Sequence, residues 1–248
     1  MKSTLVCEHN PTMDEENGKI AYPEGMGNYL LSFLKSNGYD TTLIVLNKES
    51  DGSDITDEIL ESTDVMLWWG HHYHNNIKDE IAEKVVLRVN RGMGYFAMHS
   101  GHHAKPFKRL LGTTCNLSWR EINERERLWT IDEAHPIARG IGKSFVIPHE
   151  EMYGEQFDIP SPDELVFISW FQGGEVMRSG CVWKRGRGKV FFFRPGHETN
   201  PTYRQKEVQR IILNAIEYIK PDEVVAPYGA PKILPAPEGD VVISDWEN

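Results

Sequence analysis

The chain has 248 residues, of which 37 are acidic and 27 basic, for a formal charge of −10. That length suits one doubly wound α/β domain with a core large enough to need no disulfide or metal staple. The negative balance repels phosphate backbones and anionic bilayers, which argues against nucleic-acid and membrane partners.

No apolar run reaches the length of a membrane span. Met1–Glu8 is too short and too soon charged for a signal peptide. The three cysteines, Cys7, Cys115 and Cys181, form no CxxC pair, and their odd number fits a reducing, cytoplasmic setting better than a disulfide framework.

In chain order, Ser3–Cys7 reads as a buried strand, followed by a polar loop from Glu8 to about Glu24 with Pro11, Gly18 and Pro23 as breakers. Met26, Tyr29, Leu30, Phe33 and Leu34 repeat at helical spacing up to Asn37-Gly38. Thr41–Leu46 and Asp64–Trp69 are strands, the second closed by Gly70. Ile77, Ile81, Val85 and Val89 define a helix ending at Arg91-Gly92, and Gly94–Met98 is the next strand. This alternation predicts a mainly parallel sheet with helices on both faces.

Residues 113–130 read as extended, antiparallel excursions. Phe145–Tyr153, Leu165–Trp170, Cys181–Lys184 and Lys189–Arg194 read as later strands, with a turn at Arg185-Gly186-Arg187-Gly188. Val208, Ile211, Ile212, Ala215, Ile216 and Ile219 mark a last amphipathic helix. Residues 1–220 are therefore expected to form the α/β domain. Residues 221–248, interrupted by Pro221, Pro227, Pro231, Pro235 and Pro237, are expected to form an extended arm. Ile233, Val241-Val242-Ile243 and Trp246 would anchor it on protein, in a homo-oligomer.

Histidine is the unusual component. His71, His72 and His74 follow one predicted strand, and His99, His102 and His103 follow another. His149 lies beside Glu150-Glu151, and His197-Glu198 follows the strand at Lys189–Arg194. Ligands of open parallel sheets bind beyond the carboxyl ends of the strands, so these side chains are expected to meet there. Imidazole and carboxylate suit a divalent metal, zinc first, with one position left open for water or substrate.

Ala97-Met98-His99-Ser100-Gly101 has small residues two before and two after His99, as a sharp strand-to-helix elbow requires. The apex thus presents an imidazole as metal ligand, general base or hydrogen-bond donor, expected to be neutral beside a helix N-terminus. Ser100 reads as an N-cap of a helix starting near Gly101, not as a nucleophile. Glu151 and Tyr153, two apart, share a strand face. Trp68 and Trp69 read as core, with one able to line a pocket and stack on a sugar. Gly173-Gly174 and the Arg185–Gly188 stretch lack phosphate-loop spacing.

The motifs WWGHHYH (68–74), AMHSGHH (97–103), SWRE (118–121), PHEEMYGE (148–155), ELVFISWFQGGEVMRSG (164–180) and FFFRPGHETNPTY (191–203) resemble the ThuA-like, trehalose-utilisation family from about Thr4 to Ile219. The resemblance implies a flavodoxin-like three-layer sandwich of the class I glutamine-amidotransferase-like type. It aligns His99 with the elbow cysteine of glutamine amidotransferases, and His197-Glu198 only approximately with their H-x-E pair. Glutaminase chemistry is therefore not expected, because the elbow has no thiolate to form a thioester.

The resemblance also implies a carbohydrate or keto-sugar ligand. The expected site has His71, His99 and His197 as metal ligands, His99 and Glu151 as catalytic groups, and His74, His102, Tyr153 and Trp69 as substrate contacts. A metal-assisted sugar isomerase, hydrolase or lyase is the leading expectation. A non-catalytic sugar- or partner-binding protein on the same fold is the alternative.

Overall fold

The computed structural model describes residues 1–226. Among them, nine strands form one sheet: β1 Lys2–Glu8, β2 Asp40–Leu46, β3 Val65–Trp69, β4 Gly94–Met98, β5 Ser118–Thr130, β6 Ser144–Gly154, β7 Glu164–Phe171, β8 Val176–Arg185 and β9 Gly188–Phe193. Their order is β2-β1-β3-β4-β9-β8-β7-β5-β6. The first five in that order are mutually parallel. The pairs from β9 outward to β6 are antiparallel.

Among the described residues six α-helices accompany the sheet: α1 Glu16–Ala21, α2 Met26–Ser36, α3 Asp57–Ser62, α4 Asp79–Asn90, α5 Lys105–Leu111 and α6 Lys206–Ile219. Successive strand residues point to opposite faces, and the core divides accordingly. Leu5, Leu67, Trp69, Phe96 and Phe191 pack with Leu30 and Leu34 of α2 and with Ile211, Ile212 and Ile216 of α6. Val6, Met66, Trp68, Tyr95 and Phe192 pack with Leu60 of α3, Val85 and Val89 of α4, and Phe107 of α5. No helix is long and apolar enough to cross a membrane among the described residues.

Three local expectations fail for identifiable reasons. The loop after β1 is partly ordered into a 3-10 turn at Pro11–Asp14 and the short α1. There the Asn10 side chain accepts from the Met13 N–H at 3.3 Å and Met13 is buried. Helix α3 was not expected; it buries only Leu60, too little for a periodic signal, and is started by the Thr56 side chain accepting from Ile59 N–H. Ser100 is no N-cap: a 3-10 turn spans His99–His103, and α5 begins at Lys105 without a side-chain cap.

Of the expected C-terminal arm, only 221–226 lie within the described residues. Val225 donates to the Arg91 carbonyl at 3.0 Å, and Arg91 Nε donates back to the Val225 carbonyl at 2.7 Å. The anchors proposed at Ile233, Val241-Val242-Ile243 and Trp246 lie outside the described residues.

Candidate active site

Strands β1, β3, β4 and β9 are neighbours in the sheet, and each delivers a functional side chain at its carboxyl end. These are Glu8 in β1, His71 after β3, His99 after β4 and His197 after β9. His99 sits at the apex of a sharp turn with φ +48°, a conformation a non-glycine residue adopts at a cost on the order of 1–3 kcal/mol. The turn packs directly against β3, because a Cβ on Gly101 would lie 2.5 Å from the Trp68 carbonyl oxygen. The strained apex turns the buried imidazole against Glu151 and Tyr153, two of the residues that line the cavity.

His99 Nδ1 is 2.9 Å from the Arg194 carbonyl oxygen. A carbonyl only accepts, so Nδ1 carries a proton and Nε2 is the atom offered to the site. Nε2 lies 3.1 Å from Glu151 Oε2 and 3.4 Å from the Tyr153 hydroxyl. His197 Nε2 lies 3.9 Å from the same Glu151 oxygen, 3.6 Å from Glu198 Oε2 and 3.5 Å from Glu121 Oε1. His71 Nδ1 contacts Glu198 Oε1 at 2.8 Å. The Tyr153 ring stacks on His99 with centroids 4.9 Å apart, and the Tyr153 hydroxyl bonds Ser100 Oγ.

Two overlapping donor sets result. One atom each of His99, Glu151 and His197 lie within 4.8 Å of one another, and so do atoms of His71, His197 and Glu198. His197 Nε2 and Glu198 Oε2 are buried without a hydrogen-bond partner, and buried Glu151 Oε2 has only the facing His99 and His197 rings. Burial alone would push the Glu151 carboxyl up, but the hydrogen bond and charge of His99, with His197 and His71, hold it below its ordinary range. Glu198 behaves alike: burial opposes, yet the His71 hydrogen bond and the charges of His197 and His71 hold it well below the carboxylate range. His71 is raised despite its burial, because Glu198, Glu151 and Glu8 favour its protonated form.

A second layer fixes these groups. Glu8 accepts the backbone N–H groups of His71, His72 and Tyr73 at 2.9, 2.7 and 2.9 Å, which sets the loop after β3. Glu150 accepts those of Gly196 and His197 at 2.8 and 3.0 Å and the Thr202 hydroxyl at 2.9 Å, which sets the loop after β9. Arg194 pairs with Glu126, lies 3.6 Å from Glu150 and donates to the Glu151 carbonyl at 2.8 Å. Burial, opposed by the Arg194 charge, pushes the Glu126 carboxyl up to about 7. Sequence reasoning missed Glu8, Glu126 and Arg194. Glu8 and Arg194 give only the signal of a charge at the end of an apolar strand, and Glu126 is hidden among the other charges of β5.

The cavity over this floor holds about 450 Å³ and is lined by His71, His102, Ser100, Glu151, Tyr153 and His197, with Trp119 and Glu121 among the others. The structure thus gathers His71, His99, His102, His197, Glu151 and Tyr153 in and around one place. It sets two expected substrate contacts apart. Trp69 is fully buried behind His99, with its indole N–H donated to the Gly196 carbonyl at 3.0 Å, so it supports the floor. His74 stands next to His103 outside the lining, and burial together with the neighbouring His103 and His71 lowers it to about 3. His149 is exposed on β6, away from the cavity lining.

None of the thiols occupies the elbow. Burial raises Cys7 and Cys181 far above the ordinary thiol range and Cys115 to about 11, which leaves no thiolate for nucleophilic attack.

Solved structures share this fold at low identity. A Parabacteroides merdae protein described as ThuA-like matches with TM-score 0.65 and 13% identity over 91% of this chain and 92% of its own. A Bacteroides uniformis protein described in the same way gives 0.58 and 16% over 87% and 90%. A Salmonella typhimurium protein described as cytoplasmic gives 0.60 and 14% over 90% and 100%. The sequence matches none of the curated proteins. The profile of the ThuA family, described as trehalose utilisation, matches residues 22–219 and so covers most of the chain; the protein belongs to the ThuA family.

Proposed function

We propose that this protein is a metal-assisted enzyme of carbohydrate utilisation, built on a class I glutamine-amidotransferase-like, flavodoxin-like sandwich whose elbow carries histidine. The observation that carries the proposal is the convergence of His99 Nε2, Glu151 Oε2 and His197 Nε2 within 4.8 Å, all three side chains buried and His197 Nε2 without a hydrogen-bond partner. Buried polar atoms without partners cost about 1–3 kcal/mol each, so a site that keeps them open is built for something that binds there. Two imidazoles and one carboxylate are a zinc donor set with a free position. His71, which meets Glu198 through Nδ1, belongs with His197 to the overlapping His71–His197–Glu198 set and keeps Nε2 free.

A divalent ion held there would supply Lewis acidity toward a sugar carbonyl or a water molecule. The chain's own groups do the rest. The Arg194 carbonyl fixes the His99 tautomer, as second-shell acceptors of ligating histidines do. Ionised Glu151 is engaged as a ligand through Oε2, so proton handling falls to the His71–Glu198 pair, which holds a proton at the edge of the cavity. Tyr153 and Ser100 offer hydroxyls to a substrate oxygen. Among the lining residues none is lysine or arginine. Phosphate and carboxylate ligands therefore lack their usual partners, while carboxylates, imidazoles and hydroxyls suit a neutral polyol. Isomerisation, hydrolysis and C–O cleavage are all compatible with this equipment.

Elemental analysis of protein purified without a histidine tag tests the metal. About one equivalent of a divalent transition metal, removed by chelation and restored by zinc, is expected, since neutral histidines and a carboxylate bind at pH 7. Less than about a tenth of an equivalent with no rebinding would overturn the proposal.

A further inference from the structure

The mouth of the cavity carries a large aromatic side chain that the floor chemistry does not use. Trp119 lines the cavity yet is 66% exposed, whereas Trp68, Trp69 and Trp183 are buried. The sheet register explains its placement. In the antiparallel pairing of β5 with β6, Trp119 lies directly opposite Tyr153, and opposed residues share a face. Tyr153 stacks on His99, so Trp119 stands on the strand face that carries Tyr153 and borders the His99 site. Glu121, two residues on from Trp119, lines the same cavity.

The strand segment is held in that position. The β5–β6 register shifts between Arg120 and Glu124, and Asn123 has φ +53°. Such bulges re-aim side chains at sites. Arg120 then fastens the bulge: Nη1 donates to Glu175 Oε1 at 2.6 Å and Nε to Glu124 Oε1 at 2.9 Å. Glu124, itself buried, also accepts the Gly173 N–H at 3.2 Å. A lone exposed apolar side chain is ordinary. An exposed indole lining a polar cavity, on a strand segment held by Arg120 and on the same face as Tyr153, is placed to meet a ligand.

We propose that Trp119 is the stacking platform of an outer sugar subsite, so that the ligand spans at least two rings. The inner ring lies on the His99–Glu151–His197 floor, and the outer ring lays its C–H face on the indole with its hydroxyls toward His72 and Asn116. This rests on the carbohydrate reading of the floor. An indole offers a broad apolar plane with little conformational freedom to lose, and an outer sugar ring adds binding without taking part in the reaction. A nucleobase would also stack, but a nucleotide's phosphates would meet Glu121 and Glu151 with no lysine or arginine in the lining.

Calorimetric titration of trehalose, glucose and adenosine into the full-length wild type, Trp119→Ala and Trp119→Phe tests this, with melting temperature as the check of folding. The expected result is trehalose affinity about tenfold or more weaker in Trp119→Ala, mostly kept in Trp119→Phe, and glucose affinity changed by less than about twofold. Trehalose bound as tightly by Trp119→Ala as by wild type would overturn the outer subsite and leave the carbohydrate reading standing. Equal losses for trehalose and glucose would likewise overturn the two-ring span. Wild-type protein that binds adenosine and neither sugar would overturn both.

Discussion

Replacing Glu151 by alanine is expected to weaken zinc binding by about 100-fold or more, because loss of even an outer-shell partner costs about 10–100-fold. Glu151 Oε2 faces both His99 Nε2 and His197 Nε2, at 3.1 and 3.9 Å, and has no other hydrogen-bond partner. Its carboxyl is held below the ordinary range by those imidazoles, so it meets a cation already ionised. Glu198 offers a sharper comparison. Its Oε1 is committed to Asn10 at 2.9 Å and His71 at 2.8 Å. Glu198→Ala is therefore expected to cost only about tenfold, as an outer-shell group does. Zinc titration against a chromogenic chelator at pH 7 measures both. A larger loss in Glu198→Ala than in Glu151→Ala would place the ion in the His71–His197–Glu198 set instead.

The largest stability effect belongs to Arg194→Met. The fully buried guanidinium pairs with Glu126, lies near Glu150, and donates to the Glu151 carbonyl. Removing it leaves two carboxylates in the interior without a counter-charge. Breaking a buried pair in this way costs about 3–5 kcal/mol, and for a domain of this size the melting temperature should fall by about 6–20 °C. The double variant Glu126→Gln/Arg194→Met should recover about half of that loss or more, since exchanging both partners of a buried pair is far cheaper than removing one. Thermal denaturation of the single and double variants checks this. A shift of less than about 2 °C in Arg194→Met would show that the pair is not what holds the loop after β9.

The parallel half of the sheet is legible in the sequence because its strands are apolar on both faces and its helices repeat at helical spacing. Asp64–Trp69 and Gly94–Met98 correspond closely to β3 and β4 for that reason. The elbow is legible too, since Ala97 and Gly101 flank His99 at the spacing that a +48° apex against Trp68 requires. What escapes is set by pairing across long separations. Glu8 holds a loop more than sixty residues away, and nothing near it in the chain signals that partner. Trp119 and Trp69 look alike as letters, but only the β5–β6 register shows which one faces the cavity. His74 and His71 lie on one short loop, and the distant Glu198, which only the fold brings beside His71, separates the ion-paired ring from the unpartnered one.

Zinc-edge anomalous diffraction from crystals of the tag-free protein grown with one equivalent of zinc addresses the site most directly. A single strong anomalous peak bonded to His99 Nε2, Glu151 and His197 Nε2 is the predicted result. Zinc found only on surface groups, with those three side chains still facing water, would contradict it.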